Sequence, residues 1–289
     1  MRLLFCLIVL AILSSCDTQG VKERTVSVSI LPQRYFVERI AGDRVKVNVM
    51  VPPGANPASM DLSTGQLQAL YNSSLYFAVG YLPFETSSLY PLLDKENSPR
   101  LIRLSEGMQL EKNTCHHGEN GHTHEESAHF DPHVWMSPTY TRQMVQKIHE
   151  VLSERFPEDT PYFTDNYQQF IREIDSLDQA AREITGKKRH KTFLIYHPAL
   201  TYFARDYGMR QISIEDEGKE PNPAHVKALI DTCRREGIRL VFIQNQFDQA
   251  NATTIAQEIG GEIVPIDPLA ENWIEEMKRL LNIINQKME

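Results

Sequence analysis

Six of the ten histidines in this 289-residue chain fall between His116 and His133, inside the segment Cys115 to Trp135 that reads CHHGENGHTHEESAHFDPHVW. Imidazoles at this density form a trap for soft-to-borderline metal ions, with His116, His117, His122, His124 and His129 as the candidate collectors. Gly118, Gly121 and the abundant polar residues predict a mobile loop. A solvated polar insertion that binds metal only incidentally is the plain alternative. Metalloprotease chemistry fails on spacing: His124-Glu125-Glu126-Ser127-Ala128 lacks the second histidine of H-E-x-x-H, and His149-Glu150 is followed by Ser153 where that histidine would stand.

The elements that must position such residues follow from periodicity. In the first half, Thr25 to Leu31, Val45 to Met50, Leu75 to Val79 and Leu101 to Leu104 read as strands, with helices at Gln33 to Ala41, Thr64 to Tyr71 and Phe84 to Leu93. In the second half, strands are predicted at Thr192 to Tyr196, Gln211 to Ile214, Leu240 to Ile243 and Ile263 to Ile266. Helices there cover Ala199 to Tyr207, Pro223 to Glu236, Ala250 to Ile259 and Glu271 to Lys287. The expected fold class is α/β, two βαβα lobes with mostly parallel four-stranded sheets.

Between the halves, apolar residues at Phe163, Tyr167, Phe170, Ile171, Ile174, Leu177, Ala181 and Ile184 recur at three and four. They predict one amphipathic helix from Thr160 to Thr185, roughly 39 Å long. Thr160 or Asp159 is suited to cap its start, Pro161 to its first turn, and Gly186 with the basic run Lys187, Lys188 and Arg189 to its end. One rigid helix joining two lobes implies a cleft of nearly fixed width, and α/β sheets bind ligands at the strand C-terminal ends that face such a cleft.

The N-terminus has its own chemistry. Arg2 is followed by an unbroken apolar run, Leu3 to Leu13, which covers roughly 16 Å and falls well short of a bilayer. It reads as the core of a signal peptide. Leu13-Ser14-Ser15-Cys16 resembles the lipobox of bacterial lipoproteins, in which the cysteine is lipidated and becomes the new N-terminus. The expected organisation is a signal peptide over 1–15, a lipid-anchored tether over 16–24 and an N-terminal lobe over 25–158 that includes the His-rich loop 115–129. A linking helix over 159–187 and a C-terminal lobe over 188–289 complete it. Cys6 leaves with the signal and Cys16 carries lipid, so Cys115 and Cys233 remain; pairing between them is open and the fold does not need it. A formal charge of -8 offers no phosphate-binding stripe, so nucleic acid is not an expected partner.

Three motifs in order resemble one family, the periplasmic zinc- and manganese-binding lipoproteins that feed metal to ABC importers. They are Asp131-Pro132-His133-Val134-Trp135-Met136-Ser137-Pro138, then Tyr196-His197-Pro198-Ala199-Leu200-Thr201-Tyr202-Phe203, then Val264-Pro265-Ile266-Asp267-Pro268-Leu269. Ile214-Glu215, Gly218 and Glu220-Pro221-Asn222-Pro223 match a further stretch of the family pattern that shapes the cleft. The resemblance covers Val26 to Lys287 and implies that His133, His197 and Asp267 ligate the metal. Manganese-type members usually carry Glu where His197 stands, which favours Zn2+ over Mn2+. The family's first histidine ligand is expected after Pro57, where this chain has Ala58. Zinc is normally tetrahedral, so His133, His197 and Asp267 leave a fourth position for water, for a loop histidine such as His129 or His124, or for Asp61.

What the resemblance implies is capture, hold and release, with no bond made: a monomeric carrier on a membrane through Cys16, serving a cognate permease and its ATPase. Affinity is expected to weaken as pH falls through about 6.5, because an imidazole must lose its proton to ligate. A zinc hydrolase using the same two histidines and aspartate is the alternative from another class, though no motif supplies its general base. An adhesin on the same exported scaffold is a third.

Overall fold

The computed structural model describes residues 24–95, 97–112, 130–215, 219–244, 247 and 250–289. Residues 1–23, with the expected signal peptide and lipidation site, and the loop residues Cys115, His116, His117, His122, His124 and His129 lie outside the described residues.

The first four strands, β1 (Thr25–Val28), β2 (Lys46–Val49), β3 (Leu75–Ala78) and β4 (Arg100–Arg103), form one sheet in the order β2-β1-β3-β4. The last four, β5 (Thr192–Ile195), β6 (Arg210–Ser213), β7 (Leu240–Gln244) and β8 (Glu262–Ile266), repeat that order as β6-β5-β7-β8. Every pairing is parallel. Parallel sheets are covered on both faces, and the central strands β3 and β7 are accordingly buried at every residue. All eight strands fall where β-branched and aromatic runs predict them.

The helices are α1 (Leu31–Ala41), α2 (Thr64–Tyr71), α3 (Tyr90–Leu93), α4 (Pro138–Arg155), α5 (Thr160–Gly186), α6 (Thr201–Asp206), α7 (Pro223–Glu236), α8 (Ala250–Ile259) and α9 (Trp273–Lys287). Their ends follow side-chain chemistry. Ser63, Ser137 and Asn222 accept backbone N–H groups at the starts of α2, α4 and α7, and Gly237 ends α7 in the left-handed conformation. The stretch expected to be one helix over Phe84 to Leu93 opens instead with a π turn, Glu85–Leu89. The eighteen-residue α4 was not among the expected elements. Its buried face, Tyr140, Met144, Val145, Ile148, Val151 and Leu152, packs on α5.

The linking helix α5 runs the expected length, and it is not a bare strut. Phe163, Phe170, Ile174, Leu177 and Ala181 are buried, and α1, α4 and α9 all pack along it. Asp159 does not cap it through its side chain; that carboxylate instead binds Arg24 and Arg44 at 2.5 and 3.0 Å. One apolar core is continuous from the first sheet through α5 to Phe193, Phe203, Phe242 and the inner face of α9. The second sheet alternates: Phe193, Ile195 and Phe242 face this shared core, while Leu194, Tyr196, Val241 and Ile243 face a separate one with Leu229, Cys233 and Ile255. Cys233 is a free, buried thiol, and burial pushes its pKa up to about 11. Lobes that share a core resist wide hinge opening, since opening would expose that apolar surface to water. Among the described residues no helix is long and apolar enough to cross a membrane.

The turn after β3 is held by a fully buried carboxylate. Glu85 accepts backbone N–H groups from Val79, Gly80 and Leu82 at 2.8, 2.7 and 3.2 Å, and hydroxyls from Ser29 and Tyr90. Burial outweighs these donors and holds its carboxyl above the ordinary range. Gly80 sits at φ 130°, and a Cβ there would lie 2.1 Å from the Ser105 hydroxyl, so no other residue fits without rearrangement. Glu85→Gln turns one acceptor oxygen into a donor facing N–H groups; we expect a loss of about 3 kcal/mol in urea unfolding, the range for buried hydrogen bonds to a charged group. A change near zero would mean that Glu85 does not hold this turn.

Candidate metal centre

His133 and His197 come from different lobes and meet. Their ring centroids lie 5.1 Å apart, near edge to face. His133 follows the buried Asp131 and leads into a single 3-10 turn, Val134–Met136. His197 stands two residues past the end of β5, with its backbone clamped by Gln244 at the end of β7: the amide oxygen accepts from His197 N–H at 3.2 Å, and the amide nitrogen donates to His197 C=O at 2.7 Å.

Each ring is oriented by a buried carboxylate. Asp131 Oδ1 meets His133 Nδ1 at 2.7 Å and accepts the His133 backbone N–H at 2.9 Å; Glu215 Oε1 meets His197 Nδ1 at 2.9 Å. Both carboxylates are 5% exposed, whereas the imidazoles are 14% and 25% exposed. Engaging Nδ1 with a carboxylate leaves Nε2 of each ring as the outward donor, the arrangement by which proteins fix the tautomer of a metal-binding histidine and raise its basicity. Burial alone would raise the Asp131 carboxyl, but His133 and the surrounding hydrogen bonds outweigh it and hold it below the ordinary range. Phe247 stacks on His197 at 5.3 Å, and the buried Trp135 lies 5.1 Å from His133.

Asp267 is brought to the same seam by Trp135. The indole of Trp135 donates to Pro268 C=O at 2.7 Å, and the indole of Trp273 donates to Trp135 C=O at 2.7 Å, so the residues flanking His133 and Asp267 are stitched together. Asp267 lines a cavity of about 240 Å³ between the lobes, with Ile30, Leu31 and the Val51–Gly54 segment on one side and Leu269 and Glu271 on the other. Its Oδ1 accepts the Leu269 N–H at 3.0 Å, so the carboxylate is turned into its own chain. Burial first, and Glu276 with it, push that carboxyl above the ordinary range, while Leu269 and Arg279 pull it back. Among the described residues no three His, Cys, Asp or Glu side chains stand close enough together to hold one ion. The two imidazoles are gathered, and Asp267 stands apart from them at the cavity.

Ala58 is exposed in a turn, where its N–H donates to Asn56 at 2.9 Å, and Asp61 is exposed beyond it. The orienting roles of Asp131 and Glu215 were not expected, although both lie inside motifs that carry the ligands. Lys112 and Phe130 pair antiparallel across the base of the His-rich segment, so its two ends are held together.

Comparison with known proteins decides the family. Residues 26–287 match the model of the zinc-uptake complex component A, periplasmic. The chain belongs to that family. Members are substrate-binding transport proteins and not enzymes, which removes the hydrolase alternative. The family's two-lobe fold is also that of a solved ZnuA, 33% identical with TM-score 0.80, covering 90% of this chain and 98% of that one. A ZnuA deletion mutant with zinc bound matches at 32% identity and TM-score 0.81, covering 92% and 98%. Among curated proteins, the zinc-binding lipoprotein AdcA of Streptococcus pneumoniae (strain ATCC BAA-255 / R6) is 26% identical over 95% of this chain. The chain spans 58% of the length of that relative.

Proposed function

We propose that this chain is the metal-capturing component of an ABC-type importer, taking Zn2+ between its lobes and delivering it to a membrane permease and its ATPase. The observation that carries the reading is the pair of imidazole–carboxylate dyads from opposite lobes, with rings 5.1 Å apart. Such dyads fit Zn2+ better than Mn2+, since imidazole nitrogen suits zinc and manganese prefers oxygen. His133 and His197 supply nitrogen through Nε2, and Asp267 supplies oxygen once its carboxylate turns from Leu269 toward the rings. Water or a loop histidine fills the fourth position, because Ala58 offers no donor. Asp61 serves that place less well, being exposed in the loop beyond Ala58.

The shared core limits capture to a local rearrangement at the cavity, with residues 115–129 collecting ions before transfer. In this reading residues 1–15 are a removed signal, Cys16 carries lipid, and residues 16–24 tether a monomer outside the cytoplasm. Residues 25–158, 159–187 and 188–289 form the two lobes and their link. The test is growth in zinc-depleted medium of a strain lacking the protein. The intact chain is expected to restore growth and the double variant His133→Ala, His197→Ala is not; restoration by both would contradict uptake through this site.

A further inference from the structure

The C-terminal lobe does more than contribute His197. Five residues further on, Tyr202 is fully buried, and its hydroxyl reaches the backbone beside the isolated Lys112–Phe130 bridge, just before His133. There it donates to Asp131 C=O at 2.6 Å and accepts the Glu111 N–H at 3.3 Å. Those are the backbone groups at the edge of the Lys112–Phe130 pairing, beside the Asp131 N–H that donates to Glu111 C=O at 3.0 Å. A side chain of one lobe thus bonds the backbone on both sides of a bridge in the other. The same helix adds Arg205, whose guanidinium lies over the rings of Tyr140 and Tyr202 and donates to Gln109 C=O at 3.2 Å and Glu111 at 3.3 Å.

We propose that Tyr202 is a positioning residue for metal capture: by fixing the backbone of Asp131 it fixes the carboxylate that orients His133, and so sets the spacing of the two imidazoles before any ion arrives. The inference rests on the metal-capture reading above. A segment of nine residues, 197–205, then carries one donor and grips the support of the other, so a single stretch of chain registers both halves of the site.

The test compares Tyr202→Phe with Tyr207→Phe in the full chain. Tyr207 is a similarly buried tyrosine, and its hydroxyl donates to Asp178 at 2.8 Å, away from the histidines. Zinc affinity is read by chelator competition, the ligand field by the visible bands of bound Co2+, and fold integrity by melting of the metal-free protein. Loss of an outer-shell partner typically weakens metal binding about 10- to 100-fold, and we expect about tenfold for Tyr202→Phe, with shifted cobalt bands. Tyr207→Phe is expected to lower melting comparably and to leave affinity and cobalt bands unchanged. Unchanged affinity and bands in Tyr202→Phe overturn the positioning role, as does an equal loss of affinity in both variants. His197→Ala in the same assay separates the two readings. If it abolishes binding while Tyr202→Phe has no effect, only the positioning role fails; if it too binds zinc normally, the metal-capture reading fails and this one with it.

Discussion

Replacing His197 with alanine is expected to weaken zinc binding on the order of 100-fold or more, since protein zinc sites gain roughly 10–16 kcal/mol from about four donors. Glu215, 5% exposed, would also keep a buried carboxylate without its imidazole partner, which lowers the stability of the variant. Deleting residues 115–127 is expected to cost less than about threefold in equilibrium affinity, because His133, His197 and Asp267 all remain and water can take the fourth position. Isothermal titration or chelator competition on both variants checks this. Equal losses, or a larger loss from the deletion, would move the principal site to the histidine-rich segment.

Zinc is expected to stabilise the folded chain strongly. Donors from both lobes come together only when the shared core is formed, so the ion binds the native protein and has far weaker affinity for the unfolded one. At free zinc a thousandfold above the dissociation constant the gain is about 4 kcal/mol. For a chain of this size that raises the melting temperature by about 10 °C. The rise should vanish in the double variant His133→Ala, His197→Ala and survive deletion of residues 115–127. Calorimetry with buffered zinc reads it directly; a rise that persists without the two histidines would place the stabilising ion elsewhere.

Local sequence carried most of the architecture. The eight strands were legible because each is a short β-branched or aromatic run bounded by turn residues, and α5 because its apolar period persists over seven turns. Strand order was not legible, since pairing of β1 with β3 depends on contacts across about fifty residues that no local pattern encodes. The helix α4 carries a clear 3–4 period at Tyr140, Met144, Val145 and Ile148, yet it starts inside the motif read for its histidine, at Ser137-Pro138.

At the site, the ligand histidines were legible from their frames, while their supports were not. Glu215 meets His197 across 18 positions, and Tyr202 meets Asp131 across 71. Such pairings arise only when β5 and β6 align and the lobes close on one another. The backbone hydrogen bond by which Asp267 accepts the Leu269 N–H was not among the expected contacts.

The most direct test of capture between the lobes is anomalous scattering at the zinc edge from crystals grown with stoichiometric zinc. Expected is one strong peak about 2.0–2.2 Å from His133 Nε2, His197 Nε2 and an Asp267 carboxylate oxygen, the usual range for zinc with nitrogen and oxygen donors. A peak held by residues 115–129 alone, with those three side chains left uncoordinated, would contradict it.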